Sequence, residues 1–147
     1  MTIIGGGVSG TEAAKIALDF SRLARSVRVT LNLKAQARSM GLEPRWHEVA
    51  QAYAQANLMF GDIVKVTPSS KVVGDMALMM VAQDLTRAEV EDPNVEVAFP
   101  ESVVDMLKGN LGQPPGGWPK ALQKKALKGE APITVRPGSL VASVDLD

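Results

Sequence analysis

The chain of 147 residues contains no cysteine, which excludes disulfides and thiolate metal sites. That composition suits a reducing compartment. Aromatic residues make up only 4%, so a core must be built from Leu, Val, Ala and seven methionines. Methionine fills irregular gaps without fixing their geometry. Net charge is also absent: 16 basic residues balance 16 acidic ones, which gives no reason to expect nucleic acid or an anionic membrane as partner. No apolar run approaches the roughly 20 residues that span a bilayer. The first residues lack the basic region and cleavage pattern of a secretory signal. A soluble, cytoplasmic protein is the expectation. There is one histidine, His47, with no second histidine four residues away to complete a helical metal pair, so no metal ligands are assigned.

Residues 1–31 read differently from the rest. Thr2-Ile3-Ile4 is a short apolar run, and Gly5-Gly6-Gly7-Val8-Ser9-Gly10 fits G-x-G-x-x-G. Apolar residues from Ala13 to Ala24 then recur at helical spacing, and Val27-Arg28-Val29-Thr30-Leu31 alternates as a strand would. Strand, glycine turn, helix and strand resemble the first βαβ unit of a Rossmann-type dinucleotide-binding enzyme. In that reading Gly5 makes the tight turn, Gly7 lets a pyrophosphate approach, and Gly10 allows close helix–strand packing. Two features weigh against NAD or FAD binding. Asn32 stands where an Asp or Glu would hold the ribose, and no further βαβ units follow. A glycine-rich turn joining a strand to a helix explains the same residues.

From residue 32 the pattern is helical. Leu33–Met40 reads as a short helix stopped by Gly41. Pro44 suits a first helical turn, with Trp46, Val49, Ala50, Tyr53, Ala54 and Leu58 on one face and Gly61 as the stop. Pro68 to about Leu85 forms the next helix, with Val73, Met76, Ala77, Met80 and Val81 as its apolar stripe. Gly74 inside it costs about 1 kcal/mol against alanine, which points to close packing or a ligand's approach. Thr86 and Glu89 form a capping box. Pro100–Leu107 and Lys120–Lys128 are two further helices, separated by a Gly/Pro-rich connection over 109–119. The basic edge at Lys124, Lys125 and Lys128 reads as a solvated helix end, and Trp118 as an anchor for the connection. Residues around Pro137-Gly138 suggest extended segments.

Chemistry concentrates in Val66-Thr67-Pro68-Ser69-Ser70-Lys71-Val72-Val73-Gly74-Asp75. Thr67 is placed as an N-cap with Pro68 at the first helical position. A helix start attracts negative charge, and Lys71 adds a full positive one. A hydroxyl both donates and accepts, so Thr67 can cap the helix or pass a proton between two bound partners. Asp62 and Asp75 flank the motif. Asp62 reads as a turn residue, and Asp75 as a local orienting group.

That motif does not stand alone. Met40-Gly41-Leu42, Arg45-Trp46, Ala56-Asn57, Phe60-Gly61-Asp62-Ile63-Val64-Lys65, Phe99-Pro100-Glu101-Ser102-Val103-Val104, Leu111-Gly112-Gln113-Pro114, Gly116-Gly117-Trp118-Pro119 and Val135-Arg136-Pro137-Gly138-Ser139-Leu140 accompany it. In this order and spacing they resemble the pyruvate carboxylase family, over about residues 32–147. The matching part of that family follows the (β/α)8 barrel of the carboxyltransferase domain and runs toward a linker domain. The helical spacing after residue 32 and the resemblance together point to a mainly α fold, with a small N-terminal βαβ-like piece from the glycine-rich start. The chain then divides into 1–31, a helical segment 32–130 and an extended tail 131–147. The resemblance also implies that Thr67 relays a proton between pyruvate and carboxybiotin, and that Ser70 and Lys71 contact biotin carried on a separate domain. The family's metal ligands lie on barrel strands upstream and have no counterpart here. With no barrel, ATP-grasp domain or biotinyl-lysine motif, the chain is not expected to complete the reaction alone. Its partners would be the remaining barrel, the biotin carrier domain and pyruvate. The alternatives are a dinucleotide-binding module or a non-functional helical fragment, and the junction near residue 32 reads as a fusion of natural, designed or artefactual origin.

Overall fold

The computed structural model describes residues 27–63, 68–135 and 139. Among the described residues six α-helices follow one another: α1 (Val27–Ser39), α2 (Trp46–Met59), α3 (Ser69–Ala82), α4 (Arg87–Glu91), α5 (Glu101–Lys108) and α6 (Lys120–Leu127). A 3-10 turn over Glu43–Arg45 leads into α2. No strand occurs among the described residues.

α3 is the centre of the assembly. α1, α2 and α5 pack against it, α4 against α2, and α6 against α5. The reason lies in its composition. Val73, Met76, Ala77, Met80 and Val81 are buried as their spacing requires, and Val72, Leu78 and Met79 are buried as well. A helix apolar on nearly every side must be covered on nearly every side. The rest of the core is supplied by Val49, Tyr53, Phe60, Val103, Met106 and Leu107.

The expected strand Val27–Leu31 is instead the beginning of α1, which runs unbroken through Leu31 and Asn32. Alternation over five residues competes here with a longer helical register. Leu33 and Ala37, four residues apart, are both buried, and Leu33 lies against Gly74 of α3. Burial of that pair outweighs the modest helix penalty of the β-branched Val27, Val29 and Thr30. The Rossmann-like reading is therefore not upheld. Its glycines Gly5, Gly7 and Gly10 lie outside the described residues.

Helix ends follow the expected punctuation. After α1 the amide of Gly41 bonds the carbonyl of Arg38, and that of Leu42 bonds Ala37; the same paired pattern closes α2 at Gly61 and α5 at Gly109. α3 closes the same way without glycine, through Asp84 at φ 52°. There the side chain of Arg45 donates to the Val81 carbonyl at 3.1 Å and to Asp84 Oδ1 at 2.6 Å. These bonds offset the left-handed backbone's cost, and Asp is among the residues that tolerate it.

Two expectations of side-chain placement are corrected. Leu58 is 49% exposed rather than part of the buried face of α2; Asn57 and Met59 are buried on either side of it. Lys125 is not a solvated end. Its ammonium donates to the carbonyls of Val90 at 2.7 Å and Asp92 at 2.5 Å, at the close of α4. The capping box of α4 is present, with Thr86 Oγ1 and the Glu89 carboxylate each taking the other's amide. Trp118 is buried and fixes the 109–119 connection to the core, while Ile133 returns its amide to the Lys108 carbonyl at 2.7 Å.

Candidate functional site at the start of helix α3

One proline, Pro68, and the serine pair Ser69-Ser70 build the entrance of α3. The chain leaves α2 through Gly61 and Asp62, whose carboxylate takes a hydrogen bond from Asn57 Nδ2 at 2.6 Å. Asp62 thus serves the turn, as its position suggested. Pro68 occupies the N-cap position, one residue later than expected, and its carbonyl accepts the amides of Lys71 at 3.0 Å and Val72 at 3.2 Å. With Pro68's carbonyl taking these first bonds, the cap position does not fall on Thr67. Thr67 itself lies outside the described residues, as do 64–66.

Ser70 and Lys71 are neighbours on α3 with opposite fates. Successive helix positions are about 100° apart, which turns Ser70 into the protein, where it is buried, and leaves Lys71 exposed. The ammonium of Lys71 is nonetheless held: it donates to Asp75 Oδ2 at 2.6 Å, one helical turn on. The same oxygen accepts from Ser102 Oγ at 2.7 Å, across the contact with α5. The structure therefore brings together Lys71, Asp75 and Ser102. Spacing within the motif could suggest Lys71–Asp75, four residues apart. No local spacing pairs Asp75 with Ser102, 27 residues further along.

Beside this start lies a cavity of about 280 Å³, lined among others by Ile63, Pro68, Ser69, Met106, Leu111 and Trp118. Its wall is mostly apolar, with Ser69 at the rim of the helix start; the sequence reading singled out Ser70 rather than Ser69. The Trp118 indole Nε1 is buried without a hydrogen-bond partner. A pocket of apolar lining with a few polar groups at one edge is the ordinary form of a small-molecule site. His47 is exposed on α2, away from any cluster. Among the described residues no group of three or more His, Asp or Glu is arranged to hold a metal ion.

Electrostatics are strongest elsewhere. Hydrogen bonding to Glu48 and Asp84 raises the pKa of Arg45, and Arg45 in turn holds the Glu48 carboxyl below its ordinary value. Burial pushes the Tyr53 phenol up to about 12, so it stays neutral in the core. These groups brace α2 against the far end of α3 and leave its start to Lys71.

The helical layer wrapped around α3 is a fold shared with a known class of carboxylase segments. The family model described as the conserved carboxylase domain matches residues 29–147. The chain belongs to that family. It is 57% identical over 116 residues to pyruvate carboxylase of Bacillus subtilis, covering 79% of this chain and 10% of that protein. It is 49% identical over 115 residues to human mitochondrial pyruvate carboxylase, covering 78% and 10%. Among solved structures, the carboxyl transferase domain of Rhizobium etli pyruvate carboxylase with pyruvate and biocytin matches at 79% identity and a TM-score of 0.75, over 78% of this chain and 19% of that one. The complete multifunctional Rhizobium etli enzyme matches at the same identity and TM-score, over 11% of its length. The chain thus spans about a tenth of the curated relatives it matches.

Proposed function

We propose that this chain contributes one wall of a pyruvate carboxylase carboxyl-transfer site, where carboxybiotin gives its carboxyl group to pyruvate to form oxaloacetate. The observation that carries this reading is the 79% identity to a carboxyl transferase domain solved with pyruvate and biocytin. Ser69 to Asp75 of the motif open α3, beside a cavity and with the Lys71 ammonium held by Asp75. Biotin, brought on a separate carrier domain, supplies the carboxyl group. Ser70 and Lys71 are its contacts: a hydroxyl and an ammonium can both donate to a ureido or carboxylate oxygen.

Thr67 acts as the relay. Its hydroxyl accepts a proton from the pyruvate methyl carbon while giving its own to the biotin nitrogen that loses the carboxyl group. The enolate left on pyruvate takes up that carboxyl group, and the count of protons closes. The barrel with its metal site and the carrier come from the rest of the parent enzyme, and residues 131–147 lead on toward its linker domain. A cytoplasmic setting goes with this reading, in keeping with a chain free of cysteine.

The experiment is made in a complete pyruvate carboxylase carrying this segment. Ser70→Ala and Lys71→Met are expected to slow carboxyl transfer while ATP-dependent carboxylation of biotin continues at the parent rate. Two unaffected half-reactions would contradict the assignment, and so would equal loss of both.

A further inference from the structure

Asp75 has no part in the proton or carboxyl chemistry, yet its Oδ2 receives two hydrogen bonds from different elements. Lys71 Nζ donates to it at 2.6 Å from the same helix, and Ser102 Oγ at 2.7 Å from α5. A lysine and an aspartate one turn apart on an open surface hold each other loosely, because both side chains remain free to turn. Here the carboxylate is not free. Its side chain is 18% exposed against 62% for Lys71, and Ser102 fixes it from the neighbouring helix. Order therefore passes in one direction: α5 sets Ser102, Ser102 sets the carboxylate, and the carboxylate sets the ammonium.

We propose that Asp75, buttressed by Ser102, is a positioning residue that fixes the Lys71 ammonium at the first turn of α3 for the polar head of biotin. The inference rests on the reading of Lys71 given above. An ammonium has three hydrogens, and the bond to Asp75 occupies one, so two remain for a ligand. Holding the lysine beforehand removes part of the ordering cost that a ligand would otherwise meet on binding. The carboxylate also neutralises the lysine's charge, which leaves a directional donor suited to an uncharged ureido carbonyl.

The test uses the reverse half-reaction in a complete enzyme carrying this segment, in which oxaloacetate gives its carboxyl group to added free biotin. Biotin concentration is varied, and KM and kcat are measured for Lys71→Met, Asp75→Ala, Ser102→Ala, Ser102→Thr and the Lys71→Met/Asp75→Ala double variant. Loss of a charged hydrogen bond predicts a biotin KM raised about tenfold for Lys71→Met. Asp75→Ala should raise it several-fold, with a larger effect on KM than on kcat. Ser102→Ala should raise it less, and Ser102→Thr, which keeps the hydroxyl, should restore it. On the Lys71→Met background Asp75→Ala should add nothing. Should the alanine variant fail to fold, Asp75→Asn keeps the volume and carries the same expectation.

A raised KM for Lys71→Met with an unchanged KM for Asp75→Ala overturns the positioning role and leaves the Lys71 contact standing. An effect of Asp75→Ala that is equal in both backgrounds also overturns it, since the aspartate would then act without the lysine. An unchanged KM for Lys71→Met removes the contact itself, and the positioning role falls with it.

Discussion

A methyl group placed on Gly74 would lie 3.1 Å from Cδ1 of Leu33, the residue through which α1 rests on α3. The glycine that breaks the composition of α3 therefore marks the seat of α1. A larger side chain would push a buried leucine out of its rotamer. Gly74→Val should lower stability by about 2 kcal/mol, within the range for overpacking. Leu33→Ala alone should cost about 2–4 kcal/mol. In the double variant the new valine fills the space the leucine leaves, so the two losses should fall well short of adding. Denaturant unfolding of the four proteins measures this; simple additivity would place the two residues out of contact.

Lys125 spans 35 residues to reach the Val90 carbonyl, and its ammonium closes the end of α4. Hydrogen bonds from a charged donor are worth about 1.5–3 kcal/mol each when partly buried. Lys125→Met keeps the stem and should cost about 2 kcal/mol. Lys124→Met, at an exposed position, should stay within about 0.5 kcal/mol of the parent. Equal melting temperatures for the two variants would return Lys125 to the solvated surface.

Arg45 holds the Glu48 carboxyl below its ordinary 4.5, chiefly by hydrogen bonding. A depressed carboxyl binds fewer protons folded than unfolded, so this contribution is complete above about pH 4.5 and is lost as pH falls through the lower folded value. Arg45→Met should destabilise the chain by about 1–2 kcal/mol at neutral pH, with the difference narrowing in acid. Unfolding measured at pH 7 and in strong acid checks it. A gap that widens in acid would reverse the assignment.

How far the sequence foretold this structure differs from element to element. Helices whose signals are local were legible: the stripe of α3, the capping box at Thr86 and Glu89, and the glycine stops all appear where pattern places them. Val27–Leu31 misled because five alternating residues fit a strand as well as a helix, and the burial of Leu33 and Ala37 decided between them. The pattern carries α3 on to about Leu85, whereas Asp84 does a glycine's work and ends it earlier, with Arg45, 39 residues away, bonded to its carboxylate. At the candidate site, the four-residue spacing of Lys71 and Asp75 was legible in the motif. Ser102 was not, because its partner is set by the packing of α5 on α3 and no local spacing encodes that.

The hydroxyl of Thr67 is the group on which the proposed carboxyl transfer turns. In a complete enzyme carrying this segment, Thr67→Ala should reduce carboxyl transfer by orders of magnitude while sparing ATP-dependent carboxylation of biotin, and Thr67→Ser should retain part of the rate. A role confined to the helix start would cost only about 1 kcal/mol of stability, a few degrees of melting temperature. Near-normal carboxyl transfer by the alanine variant, with a lowered melting temperature alone, would contradict the relay.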